Sequence, residues 1–150
     1  MFHFLCILFY LLEILKYMSI IKKARKCIVL FTIGGIGYAF VEIMWRGRTH
    51  WSMVIAGGVC FVIFELIARS LRPLPLIIKA FIGAISVTLV ELLFGIIFNL
   101  MLGMNVWDYS GEWCNLFGQI CPLFSLLWVA LALPFIPCAG FFGNFLSSKN

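Results

Sequence analysis

Apolar runs of about twenty residues, parted by short polar breaks, constrain this chain more than any other feature. A helix needs about 20 mostly apolar residues to cross a hydrocarbon core of about 30 Å. Such runs lie near residues 2–20, 27–45, 51–68, 76–101 and 120–142. Of the 150 residues 64% are hydrophobic and only 11% charged, with a mean hydropathy of +1.12. A soluble domain carries roughly 25% charged residues to cover its surface. Most of this chain must therefore face lipid or itself. The expected architecture is all-α: one transmembrane domain over residues 1–150, a polytopic helical bundle of five spans, or four if the first segment lies flat at the interface.

The net charge of +5 gives no ground for a nucleic-acid partner, because the cations gather in short clusters between apolar runs, where positive charge sets orientation in a membrane. The densest cluster, Lys22-Lys23-Ala24-Arg25-Lys26, is expected to be a cytoplasmic loop. Five spans then put the N-terminus outside the plasma membrane and the C-terminus in the cytoplasm. Of the eleven cations only Arg46 and Arg48 fall on the outer side. The same topology brings Trp45, Trp51, Trp107 and Trp113 to the outer boundary, the level at which indole rings prefer to sit. A cleaved signal peptide fits poorly, since positive charge follows the first apolar run instead of preceding it. Glu13 and Lys16 are spaced to pair at i,i+3 in that run, and the tail Ser147–Asn150 is expected to be mobile. Cys6, Cys27, Cys60, Cys114, Cys121 and Cys138 lack the short pair spacing of a zinc or redox motif, and neither a metal nor a cofactor is expected. Cys114 and Cys121 could join in a disulfide in an oxidising compartment.

Within the spans, small and polar residues recur at helical spacing. Gly34, Gly35, Gly37, Gly57 and Gly58 would let neighbouring helices approach closely. Gly34, Tyr38, Glu42 and Arg46 form one i+4 row, and Glu91, Gly95 and Asn99 form another. Glu65 and Arg69 are spaced to pair at the far end of the third run. Pro73 and Pro75 open the fourth, whose 26 residues give a helix of about 39 Å that must tilt or protrude. Pro134 and Pro137 are expected to kink the last span or end it early. Residues 102–119 form the longest polar connection, and a loop of that length usually has a function.

That topology places the Arg46–His50 loop and the Asn105–Gln119 loop on one face. Glu42 sits about one turn inside that boundary, and Asn99 at a similar level. Glu91 lies deeper, and a carboxylate near the centre of a membrane helix costs about 2.5–3.5 kcal/mol, so it must be protonated, paired or beside water. Two explanations compete. Glu42 with Arg46 or Arg48, and Glu91 with Asn99, Thr88 or a hydroxyl, hold the bundle in register. Alternatively, an outward-facing pocket uses Arg46 and Arg48 to anchor anions, since guanidinium matches carboxylate and phosphate geometry. His50 is then a titratable group at the rim, which Asp108 and Tyr109 complete or merely cap.

The strings Trp45-Arg46-Gly47-Arg48-Thr49-His50-Trp51 and Val106-Trp107-Asp108-Tyr109-Ser110, with Glu42, the Glu91, Gly95 and Asn99 row, Asn115 and Gly118-Gln119, resemble a family of small bacterial membrane proteins described as putative type IV ABC-transporter permeases. The resemblance covers about residues 28–130 and implies a transport role. A fainter likeness joins Glu42-Ile-Met-Trp-Arg46-Gly to part of the intramembrane CAAX-type protease motif. Val41 stands where that motif has its paired glutamate, and no Phe-x-x-x-His helix follows.

The resemblance makes the chain a transporter or permease component that binds an anionic or amphipathic solute or lipid headgroup. Glu42, Arg46, Arg48, His50, Glu91, Asn99, Asp108, Tyr109 and Gln119 are the candidate binding residues. The chain has no Gly-x-x-x-x-Gly-Lys-Ser/Thr phosphate loop, so such a role needs a separate ATPase subunit, and a bundle this small would form a homo-oligomer to enclose a path. An intramembrane or lipid-acting hydrolase using Glu42 or Glu91 with His50, and a noncatalytic membrane scaffold, are the alternatives.

Overall fold

The computed structural model describes the backbone of residues 2–148 and the side chains of residues 16–148. The described chain is all-α: α1 (Phe2–Arg46), α2 (Trp51–Ser70), α3 (Leu76–Phe94), which continues as a π-helical segment over Gly95–Met101, and α4 (Pro122–Ser148). Four of these, counting α3 with its π-helical end, are long and apolar enough to cross a membrane: Lys16–Arg46, Trp51–Ser70, Leu76–Met101 and Pro122–Ser148.

Four is the smaller of the two expected span counts, and the expected loop at Lys22–Lys26 is absent. The cluster lies inside one unbroken helix, so residues 2–20 are not a separate span beyond a loop. Lysine, arginine and alanine are strong helix formers, and no glycine or proline interrupts this stretch. Positive charge sets a segment's depth in the bilayer without dictating that its backbone turn. At 45 residues α1 is about 68 Å long, more than twice the hydrocarbon thickness. The expected Glu13–Lys16 pair lies outside the described side chains.

α4 runs through both Pro134 and Pro137 to Ser148, so it does not end early at them. Each proline removes one helix hydrogen bond, but the turns around them are clamped from the side. Ala132, Ile136 and Ala139 are fully buried against Phe61, Phe64 and Ile67 of α2 and Ala80 and Val87 of α3. Ser147 and Ser148 belong to the helix, while Lys149 and Asn150 lie outside the described residues.

The glycines set how closely α1 meets α2. A Cβ on Gly34 would collide with the Cβ of Phe61 and the carbonyl of Gly57, and one on Gly57 would collide with Tyr38. Gly35 abuts the Val54 carbonyl, and Gly58 abuts the Phe31 ring. Gly37 is the exception, with open space where its side chain would be. At the far end of this packed seam Glu65 takes Lys26 at 2.7 Å and Arg69 at 3.4 Å, joining α1 to α2. Gly143 of α4 leaves room for the Glu65 side chain, which a Cβ there would crowd at 2.6 Å. The i,i+4 pair read from the sequence is thus present, with Lys26 as the closer partner.

Candidate functional site

The opposite end of the bundle carries the polar groups. Arg46, at the last turn of α1, pairs with Glu42 one turn back, and Thr49 donates to the other Glu42 oxygen at 2.5 Å. His50 caps α2: its Nδ1 accepts from the Ser52 amide and lies 2.8 Å from the Ser52 hydroxyl. Arg46 also donates to the Val106 carbonyl at 3.5 Å, so the two connecting loops meet on one face as expected.

The row Glu91, Gly95, Asn99 is where the long loop docks. Asn99 donates to the Trp107 carbonyl at 2.9 Å and to Gln119 Oε1 at 2.8 Å, and accepts from the Val106 amide at 2.7 Å. Gly95 leaves the space that Gln119 fills, since a Cβ there would stand 2.5 Å from its Oε1. The π-helical turn begins at this glycine, where insertion of a side chain into the helix surface is accommodated by a wider turn. Trp107, expected at the headgroup level, is instead buried, its indole N–H donating to the Gln119 carbonyl at 3.0 Å. Trp45 and Trp113 are about four-fifths exposed. Cys114 is exposed, Cys121 is buried, and they are not bonded to each other.

One carboxylate reaches deeper. Glu91 accepts from the Tyr109 hydroxyl at 2.9 Å on one oxygen and from the Trp128 indole at 3.0 Å on the other. Its partners are thus neither Asn99 nor Thr88, which instead donates to Ser125 at 3.2 Å. Tyr109 stacks on Phe124 of α4 with ring centroids 4.4 Å apart. Burial, and then the neighbouring negative charge of Glu91, hold the Tyr109 phenol well above its ordinary titration range, so it stays a donor.

Two adjoining cavities open where α1 and α4 barely touch. The inner, of about 170 Å³, is walled by Gly37, Tyr38, Cys60, Glu91, Trp128 and Phe135 among others. The outer, of about 500 Å³, reaches Glu42, Arg46, Tyr109 and Phe124, and shares Tyr38 and Trp128 with the first. Of the residues singled out from the sequence, Glu42, Arg46, Glu91 and Tyr109 line these cavities, while Asn99 and Gln119 pin the loop above them. Arg48, His50 and Asp108 line neither; Asp108 caps its own turn, accepting from the Ser110 amide and hydroxyl. No group of three metal-ligating side chains occurs among the described residues.

Trp128 was not legible as part of this site. Its signal is an indole in the second turn of α4 whose N–H needs an acceptor inside an otherwise apolar run.

Together these features define a multi-pass helical membrane protein with an internal cavity that is polar at one end. More particularly, a family model described as Putative ABC-transporter type IV matches residues 1–142, and the chain belongs to that family. The match takes in the whole of α1, beyond the stretch in which the motifs lie. No curated protein and no solved structure matches the chain.

Proposed function

We propose that the chain is the membrane-embedded component of a transporter, and that the paired cavities between α1 and α4 receive an amphipathic solute from the bilayer. The cavities carry this reading: their walls are apolar over most of their length and carry polar groups at two places, Glu91 in the inner cavity and the Glu42–Arg46 pair in the outer, a mixed lining that suits an amphiphile. Their combined size is that of a site for a drug-sized molecule. Arg46 faces the outer cavity already paired with Glu42, which favours an amphiphile over a simple anion. The Arg46 end faces outward in this reading, because the cations Lys22–Lys26, Arg69, Arg72 and Lys79 all gather at the opposite end. That places the N-terminal end of α1 on the cytoplasmic side.

Energy comes from a separate ATPase subunit, and two copies of this small bundle enclose the path. The test is ATP-dependent uptake of a fluorescent amphiphile into inverted vesicles carrying the chain and its ATPase. Ala130→Trp, which fills the outer cavity from α4, is expected to abolish uptake while leaving assembly intact. Unchanged uptake in that variant would overturn the assignment.

A further inference from the structure

Among the described residues three charged side chains line the two cavities: Glu42, Arg46 and Glu91. Glu42 and Arg46 cancel as an ion pair. Glu91 has two neutral partners, Tyr109 and Trp128, and no cation pairs with its carboxyl group among the described residues. Aromatic rings surround it: Tyr38 and Trp128, with centroids 6.2 Å apart, border both cavities, and the stacked Tyr109 and Phe124 border the outer one.

We propose that this carboxylate and its ring walls receive the cationic head of an amphiphile, a quaternary ammonium or phosphonium group, whose apolar body fills the rest of the cavity. The proposal rests on the reading of this cavity as the solute site and names its substrate class. Ring faces carry negative electrostatic potential and attract a weakly hydrated cation, most strongly at tryptophan. An anion here would meet that potential and the Glu91 charge together. A small hydrated hard metal ion would have to shed its water against walls such as Val41 and Leu131, which offer no oxygen ligands in exchange. A quaternary head has no such shell to lose.

The experiment is equilibrium binding to the purified full chain in uncharged detergent. The probes are tetraphenylphosphonium and tetraphenylborate, of similar shape and opposite charge. Saturable phosphonium binding is expected, weakened at least tenfold by Glu91→Gln, with no such loss for the borate. Trimethylammonium compounds of increasing alkyl length form a second arm: affinity rising with length marks a lipid-like occupant, and a plateau marks a compact lipophilic cation. Gly37→Leu guards against misfolding of the carboxylate variant, since open space at Gly37 admits the side chain without disturbing packing while it intrudes on the inner cavity. It too is expected to lose phosphonium binding. Equal phosphonium affinity in the unmodified chain and Glu91→Gln would overturn the proposal. If borate binds in a Gly37→Leu-sensitive manner and phosphonium does not, the cation assignment fails while the cavity reading stands. If neither probe binds, both fail.

Discussion

Tyr109 reaches back eighteen positions along the chain to donate a 2.9 Å hydrogen bond to Glu91. A loop residue thereby closes the polar end of the bundle over a carboxylate of α3. Tyr109→Phe keeps the stacking on Phe124 and removes only the donor, so the cost should be that of one hydrogen bond to a charged group, about 1.5–3 kcal/mol. A lowered thermal midpoint in detergent, followed by circular dichroism, checks this.

The same phenol makes a prediction in pH. Its folded-state titration is raised, so its contribution is fully present below the ordinary tyrosine value of about 10 and is lost as the pH climbs from there toward the raised value. Thermal midpoints measured from pH 8 to 11 should be flat with respect to this group at first and then fall. In Tyr109→Phe the alkaline fall should be shallower.

The glycine seam predicts a contrast within one helix turn. Gly34→Ala forces a methyl into Phe61 and the Gly57 carbonyl, and overpacking of this kind costs about 1–3 kcal/mol. Gly37→Ala meets nothing and should leave the melting temperature unchanged or slightly raised, since alanine is the better helix former. Parallel thermal melts of the two variants decide the point.

Asn99 makes three hydrogen bonds that hold the long loop against the π-helical end of α3. Asn99→Ala should free that loop without melting the bundle. Hydrogen exchange at the amides of Val106 and Gln119 should rise at least tenfold, with protection in α2 unaltered.

The orientation has its own test. With Cys114 exposed on the loop and Cys27 exposed near the cationic stretch of α1, a membrane-impermeant maleimide added to intact cells should label Cys114 and spare Cys27. The reverse pattern would invert the topology.

The sequence carried much of this arrangement because several of its signals are local. Helical spacing pairs Glu65 with Arg69 and leaves Glu42 a choice of Arg46 or Arg48, of which Arg46 is the partner found, and the glycines mark where α1 and α2 come close. Hydropathy located the helices from residue 27 onward, and the topology it implied brought the two loops to one face. The failures were of other kinds. Charge density at Lys22–Lys26 suggests a loop, although the residues themselves favour helix. The prolines of α4 were read without the Ala132, Ile136 and Ala139 packing that holds the helix together around them. Glu91's partners stand 18 and 37 positions away, on a loop and another helix, and no periodicity connects them. The π-helical turn depends on Gln119 docking at Gly95, a tertiary event that no local spacing announces.

Because α1 has no break between Lys22 and Arg46, the cationic stretch midway along it and one wall of the cavity are parts of a single stiff rod. Lys26 and Glu65 tie that rod to α2 near its midpoint, while Arg46 abuts the loop over the cavity at its C-terminal end. Swinging the rod about the glycine seam at Gly34 and Gly57 would move its two ends in opposite senses. A push on the basic stretch would thus widen or narrow the slot beside α4 without any hinge in the backbone.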